Sequence, residues 1–219
     1  VSICERNLKD VLSRIEISKY KKSLSKSFNN IGLNFLDQAN FEKASEYFNS
    51  SLVIAEELEL KNQVAKVFIN IGRCNYEKGN LNEALVYYNK CLELTEQEND
   101  NKTRSNCLSR IGILFYSIGN LEKALEYYYL GLKIRKEIGD ENLLSYSYNN
   151  IGMVYSDQGN YEKSMQFHQK SVKISKKLGL KGQIAVSYNN ISLIHQNNGD
   201  IDKALDYLEK SLNIKKDIN

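Results

Sequence analysis

Asparagine stands at 40-residue intervals in this chain, at Asn30, Asn70, Asn150 and Asn190, and Arg110 holds the one place where the row breaks. An amide carries a donor and an acceptor together, so it can pair with a peptide backbone group whatever side chain that residue bears. Each such bond is worth about 0.5–1.5 kcal/mol net, so affinity would come from the row and not from one member. Two roles fit the row: gripping an extended or helical segment, or bridging the helices that carry the asparagines. Arg110 also has two: forking onto a carboxylate or phosphate of a partner, or pairing internally with Glu77 or Asp157.

Residues suited to bond-making chemistry are few. The chain holds two histidines, His168 in a column of aromatic residues and His195 in the column of Phe35, Phe115 and Tyr155. Both places read as packing positions. Cys4, Cys74, Cys91 and Cys107 have neither ligand-like nor disulfide-framework spacing. Cys91 shares a column with Ser51, Gly131, Ser171 and Ser211, which marks it as a small packing residue. No glycine-rich phosphate loop, nucleophile elbow or zinc spacing occurs. The expectation is a protein that is not an enzyme, with no cofactor and no metal site.

Those columns exist because the chain repeats. Ile-Gly or Ile-Ser recurs every 40 residues, at Ile31-Gly32, Ile71-Gly72, Ile111-Gly112, Ile151-Gly152 and Ile191-Ser192. Four residues before the small residue stands Phe28, Phe68, Leu108, Tyr148 or Tyr188, and seven after it Ala39, Gly79, Gly119, Gly159 or Gly199. Asn40, Asn80, Asn120, Asn160 or Asp200 follows, then Ala44, Ala84, Ala124, Ser164 or Ala204. Fixed self-similarity at this period is the signature of stacked supersecondary units, each burying its apolar face on a neighbour.

Within a unit, Val64, Val67, Phe68 and Ile71 follow a helical period, not strand alternation. Gly79-Asn80 then reads as a stop and a start, because glycine accepts the left-handed conformation after a helix and asparagine caps the next one. A second helix follows from about Leu81 to Glu98. Small residues such as Gly72 and Ala84 let the two helices approach closely. The fold class is therefore all-α.

The pattern aromatic-x-x-Ile-Gly, then Gly-Asn, then Ala with an aromatic residue four places on, resembles the tetratricopeptide repeat, in a 40-residue form similar to kinesin light chain, spindle-orientation adaptors and bacterial signalling proteins. That resemblance implies a right-handed superhelical solenoid of helix-turn-helix repeats spanning residues 1–219 as a single array. The units are 23–62, 63–102, 103–142, 143–182 and 183–219, with 3–18 as the second helix of a truncated repeat, Leu12 matching Leu52. The family's proline near the unit end is replaced by Glu56, Glu96, Lys136, Lys176 and Lys216, which leaves the turn between units open.

In the resembled family the first helices line a concave face that grips a segment. Carried over by register, the inner stripe adds Lys66, Arg73, Ile113, Tyr146, Met153 and Leu193 to the asparagine row, with Asn29, Asn149 and Asn189 beside it. Lys66 and Arg73 make the early groove basic, whereas Tyr146 and Met153 make the later groove apolar. The implied partner is a protein or peptide segment bound by a scaffold. An alternative is a sensory or regulatory module of a larger signalling protein, its curvature changed by ligand. Self-association through uncapped terminal repeats is a third expectation.

Composition agrees. A net charge of +3 is too small to indicate nucleic acid, and 42% hydrophobic with 26% charged residues suits a packed protein. No apolar run reaches the length of a membrane span. The absence of a signal-like stretch and of disulfide spacing leads to a cytoplasmic expectation, although the first residue is Val1 and a lost targeting segment stays open.

Overall fold

The apolar period predicts paired helices, and a computed structural model of the chain shows them. It describes residues 3–218, with side chains from Arg14 onward. The expectations for Cys4 and Leu12 fall outside the described side chains. Among the described residues there are ten helices: α1 (Ile3–Asp37), α2 (Phe41–Glu57), α3 (Lys61–Glu77), α4 (Leu81–Gln97), α5 (Asn101–Ser117), α6 (Leu121–Glu137), α7 (Glu141–Asp157), α8 (Tyr161–Lys177), α9 (Lys181–Asn197) and α10 (Ile201–Lys216). From α3 onward the helix pairs open at 61, 101, 141 and 181, two residues before the expected unit starts.

Every connection is the same three-residue turn, with its middle residue at positive φ. Gly79, Gly119, Gly139, Gly159, Gly179 and Gly199 hold six of these places, and Ala39, Glu59 and Asn99 the other three. The backbone closes each turn alike: Gly79 N donates to Tyr76 O at 2.9 Å and Asn80 N to Asn75 O at 2.9 Å. These bonds satisfy carbonyls that a helix end leaves orphaned. The turn between units thus has the geometry of the turn within a unit, and no proline is needed.

Ala39 sits at φ 56 where other repeats use glycine. A β-carbon in this region costs about 1–2 kcal/mol, partly offset by the greater freedom glycine has when unfolded. Ala39→Gly should therefore raise stability by about 0.5–1 kcal/mol, read as an upward shift of the urea midpoint at unchanged slope.

Two expectations need correction. Residues 3–18 are not a separate second helix, because α1 continues unbroken through Lys19, where the equivalent Glu59, Asn99, Gly139 and Gly179 turn. Residues 14–20 are all exposed, so no packing offsets a left-handed turn there. Asn80 makes no side-chain cap, although Asn40, Asn120 and Asn160 accept from Lys43 N, Lys123 N and Lys163 N at 3.1–3.2 Å. Asp100 and Asp140 cap the helices that open repeats, accepting from Thr103 N and Leu143 N at 3.0 Å.

The chain divides into two compact units between Cys107 and Leu108. In the first, Leu36, Ala44, Phe48, Val67, Ile71 and Cys74 form a buried cluster. In the second, Ala124, Tyr128, Leu132, Ile151 and Val154 do the same. The helices of each pair meet through one contact repeated in four units: a second-helix ring lies on a first-helix glycine. A β-carbon on Gly32, Gly72, Gly112 or Gly152 would come within 2.5–2.8 Å of Phe48, Tyr88, Tyr128 or His168. In the fifth pair Ser192 carries that β-carbon, and Leu208 stands where the others have a ring.

Candidate functional site

Core packing turns one edge of each first helix inward and leaves the opposite edge open. On α7, Ile151, Gly152 and Val154 are buried, whereas Tyr146 and Asp157 are exposed and Asn150 and Met153 half-buried. Positions spaced four, three and four residues apart share one helix edge, so these four residues form a single outward stripe. On α3 the same stripe is Lys66, Asn70, Arg73 and Glu77, on α9 it is Val186, Asn190, Leu193 and Asn197, and Ile113 takes its place on α5.

The asparagine row is not uniform. Asn70 Nδ2 donates to Asn29 Oδ1 at 2.7 Å, tying α3 to α1. Asn190 Nδ2 donates to Asn149 Oδ1 at 3.1 Å, tying α9 to α7. These two amides bridge neighbouring first helices through Asn29 and Asn149, both buried. Asn30 and Asn150 make no side-chain hydrogen bond among the described residues, and Asn189 is half-buried beside the bridge. Arg110 is half-buried and forms no ion pair among the described residues. Asp157, one of its two candidate internal partners, instead accepts from Tyr116 Oη at 2.5 Å. Burial together with Asp157 pushes the Tyr116 hydroxyl up to about 12, so it stays a donor at neutral pH.

Charge differs between the two units. In the first, Arg73 Nη2 reaches Asp37 Oδ1 at 3.0 Å, and Lys61 pairs with Glu98 at 2.8 Å. Lys66 stays exposed and lines a cleft of about 450 Å³ together with Lys22, Lys26 and Lys61. In the second unit the stripe carries Tyr146, 46% exposed, and Leu193, 48% exposed. Tyr146, Leu193 and Val186, 42% exposed, are apolar contacts that the second unit offers, and Lys66 of the first unit has no ion pair among the described residues.

His168 was expected as packing, and its ring does fill the aromatic column over Gly152. It is also polar at depth. Its Nδ1 lies 3.0 Å from Asn149 Oδ1, so the hydrogen is on Nδ1 and Nε2 is left as an acceptor. Nε2 has no partner among the described residues. Burial lowers its pKa to about 4, which keeps the ring neutral. His195 is a packing residue, stacked on Tyr207 with ring centroids 5.5 Å apart. The Asn149 node, where His168, Asn190 and Ser187 converge, went unrecognised in the sequence. The one signal for it was a histidine in a column of rings.

Cys74, Cys91 and Cys107 are buried thiols outside any disulfide among the described residues, and Cys107 Sγ donates to Tyr88 O at 3.0 Å. Among the described residues no helix is long and apolar enough to cross a membrane.

Known proteins place this architecture. The tetratricopeptide repeat profile matches residues 22–97, 63–137 and 143–217. BtubC (BKLC) from P. vanneervenii superposes with a TM-score of 0.78 at 16% identity, over 100% of this chain and 93% of that one. A Rap protein complexed with Competence and Sporulation Factor gives 0.75 at 16% identity, over 85% of this chain and 52% of that one. A signal-transduction ATPase with a tetratricopeptide repeat sensor, from Pyrococcus horikoshii, gives 0.76 at 22% identity, over 96% of this chain and 34% of that one. At such identities the likeness is one of fold. No curated protein sequence matches the chain. Repeat period, helix pairs and profile agree, and the chain belongs to the tetratricopeptide repeat family.

Proposed function

We propose that this protein is an interaction scaffold that holds a protein or peptide segment against the outward stripe of its first helices. The observation that carries the reading is the stripe itself. In the first unit Asn30 makes no side-chain hydrogen bond among the described residues and Lys66 stands exposed; in the second Arg110 and Asn150 make none and Tyr146 stands exposed. A polypeptide presents backbone donors and acceptors at regular intervals, which amides can pair one by one. The Asn70–Asn29 bridge holds adjacent first helices in register within the first unit, and the Asn190–Asn149 bridge does so within the second. Arg73, paired with Asp37, and Met153 and Asn189 at its edge complete the contact. The Rap protein complexed with Competence and Sporulation Factor supports the reading by its fold.

The test compares capture of partners by the wild-type chain with capture by an Arg110→Ala, Tyr146→Ala, Asn150→Ala variant. These residues make no bridge, so circular dichroism should match the wild type. A partner lost only from the variant is the expected result, with affinity down at least tenfold (about 1.4 kcal/mol). Equal capture by both overturns it.

A specific observation favours a second reading. Ile201, Leu205, Leu208 and Leu212 on α10 are 38–59% exposed and lie on one helix face. That face suits stacking on a second copy, which sedimentation at increasing concentration detects and Leu205→Glu abolishes. A regulatory role, with ligand altering helix packing to control an attached domain, has its support in the ATPase sensor of like fold.

A further inference from the structure

In the second unit, a small pocket of about 120 Å³ opens on the outward stripe between Met153 and Leu193, lined also by Asp157, His168 and Asn190. Most of the hydrogen-bonding capacity left over there accepts, and the Ser156 hydroxyl, which also lines the pocket, can accept as well as donate. His168 Nε2 is a buried acceptor without a partner among the described residues. Asp157 receives the Tyr116 hydroxyl on Oδ2, which leaves its other oxygen open, and no cation pairs with it among the described residues. Asn190 spends its Nδ2 on Asn149, and its Oδ1 accepts nothing among the described residues. Three acceptors, one of them a carboxylate, and the Ser156 hydroxyl therefore belong to residues that line one pocket.

Such a site is completed by a group that only donates and carries positive charge. A hydroxyl or amide brings lone pairs of its own, which an acceptor-rich wall repels. An ammonium has three donors and no acceptor. We propose that this pocket takes a primary ammonium group, from a lysine side chain or from the free amine that begins a bound chain. It deepens the scaffold reading by naming one feature of the captured segment. Met153 is unbranched and adaptable, so it can give way as the guest reaches toward the imidazole. Gly152 is what brings the His168 ring this close to the first helix, since a β-carbon there would lie 2.9 Å from Nε2.

Small amines test the pocket without any partner protein. The chain has two histidines, so the imidazole Cε1–H region of a carbon–proton correlation spectrum shows two signals, and His168→Phe assigns them. Phenylalanine already holds this column at Phe48, against Gly32, so that variant keeps the packing. Nα-acetyl-lysine methylamide tests the side-chain source, glycine methylamide the chain-start source, and Nα-acetyl-norleucine methylamide lacks the charge. The expected result is a saturable shift of the His168 signal with one or both ammonium compounds. His195 and the norleucine titration should stay flat, and Asp157→Asn should weaken binding about tenfold, the loss of one charge-assisted hydrogen bond. Equal shifts with norleucine, no shift with either ammonium, or an unchanged affinity in Asp157→Asn each overturn the proposal. A scaffold that fails to capture any segment would leave this titration unaffected, so the two readings fail separately.

Discussion

Gly112→Ala lowers stability by about 1–3 kcal/mol, the reverse of what alanine does at an exposed helix position. The added β-carbon would lie 2.5 Å and 2.6 Å from the Tyr128 ring, which is itself 3% exposed and hemmed in by the core. Alanine gains about 1 kcal/mol of helix propensity over glycine, and overpacking a filled core costs more than that. The fifth pair shows the way out: Ser192 has a β-carbon, and Leu208 has no ring. In a Tyr128→Leu background, Gly112→Ala should therefore become neutral or stabilising. Urea unfolding of the four members of the cycle gives the coupling, expected at about 2 kcal/mol. Additive effects would mean that the ring and the glycine do not form one contact.

Acidification should unfold the wild-type chain earlier than a His168→Phe variant. Burial lowers the His168 pKa to about 4, against a value near 6.5 in the unfolded chain. The folded value is the lower one, so between the two the unfolded chain binds the proton more readily. This contribution to stability is complete above about pH 6.5 and drains away as pH falls toward 4. Between pH 7.5 and pH 5 the loss is about 2 kcal/mol. Phenylalanine cannot titrate, and Asn149 Oδ1 keeps the Asn190 donor at 3.1 Å without the imidazole. Carboxylates titrate in both proteins, so the difference between the two pH profiles isolates His168. Parallel profiles would show that the ring is protonated in the fold as easily as outside it.

The two predictions concern one column, and the sequence exposes that column only in part. Gly32, Gly72, Gly112 and Gly152 are legible as small residues every 40 positions, and the large residues opposite them are legible too. That the two interlock, and that Ser192 goes with Leu208, takes the packed helices to see. The asparagine row was likewise visible as a row. Its division into bridging residues (Asn70, Asn190) and uncommitted ones (Asn30, Asn150) was not, because each bridge closes on an amide 41 residues away.

What the sequence determined by itself is local: helix period, the stop after each helix, and a turn whose middle residue tolerates positive φ. These depend on backbone dihedrals and on neighbours within a few positions, so composition at fixed spacing reveals them. Even there Lys19 escaped, since it carries the same kind of side chain as Glu59 yet stays helical where nothing packs beside it. Tertiary structure alone decided which polar groups remain unsatisfied among the described residues: the buried Nε2 of His168, the open oxygen of Asp157, and Arg110 without an ion pair. Hydrogen-bond capacity is a property of the residue type, but whether it is already spent depends on which helices meet, and that is set by packing across repeats.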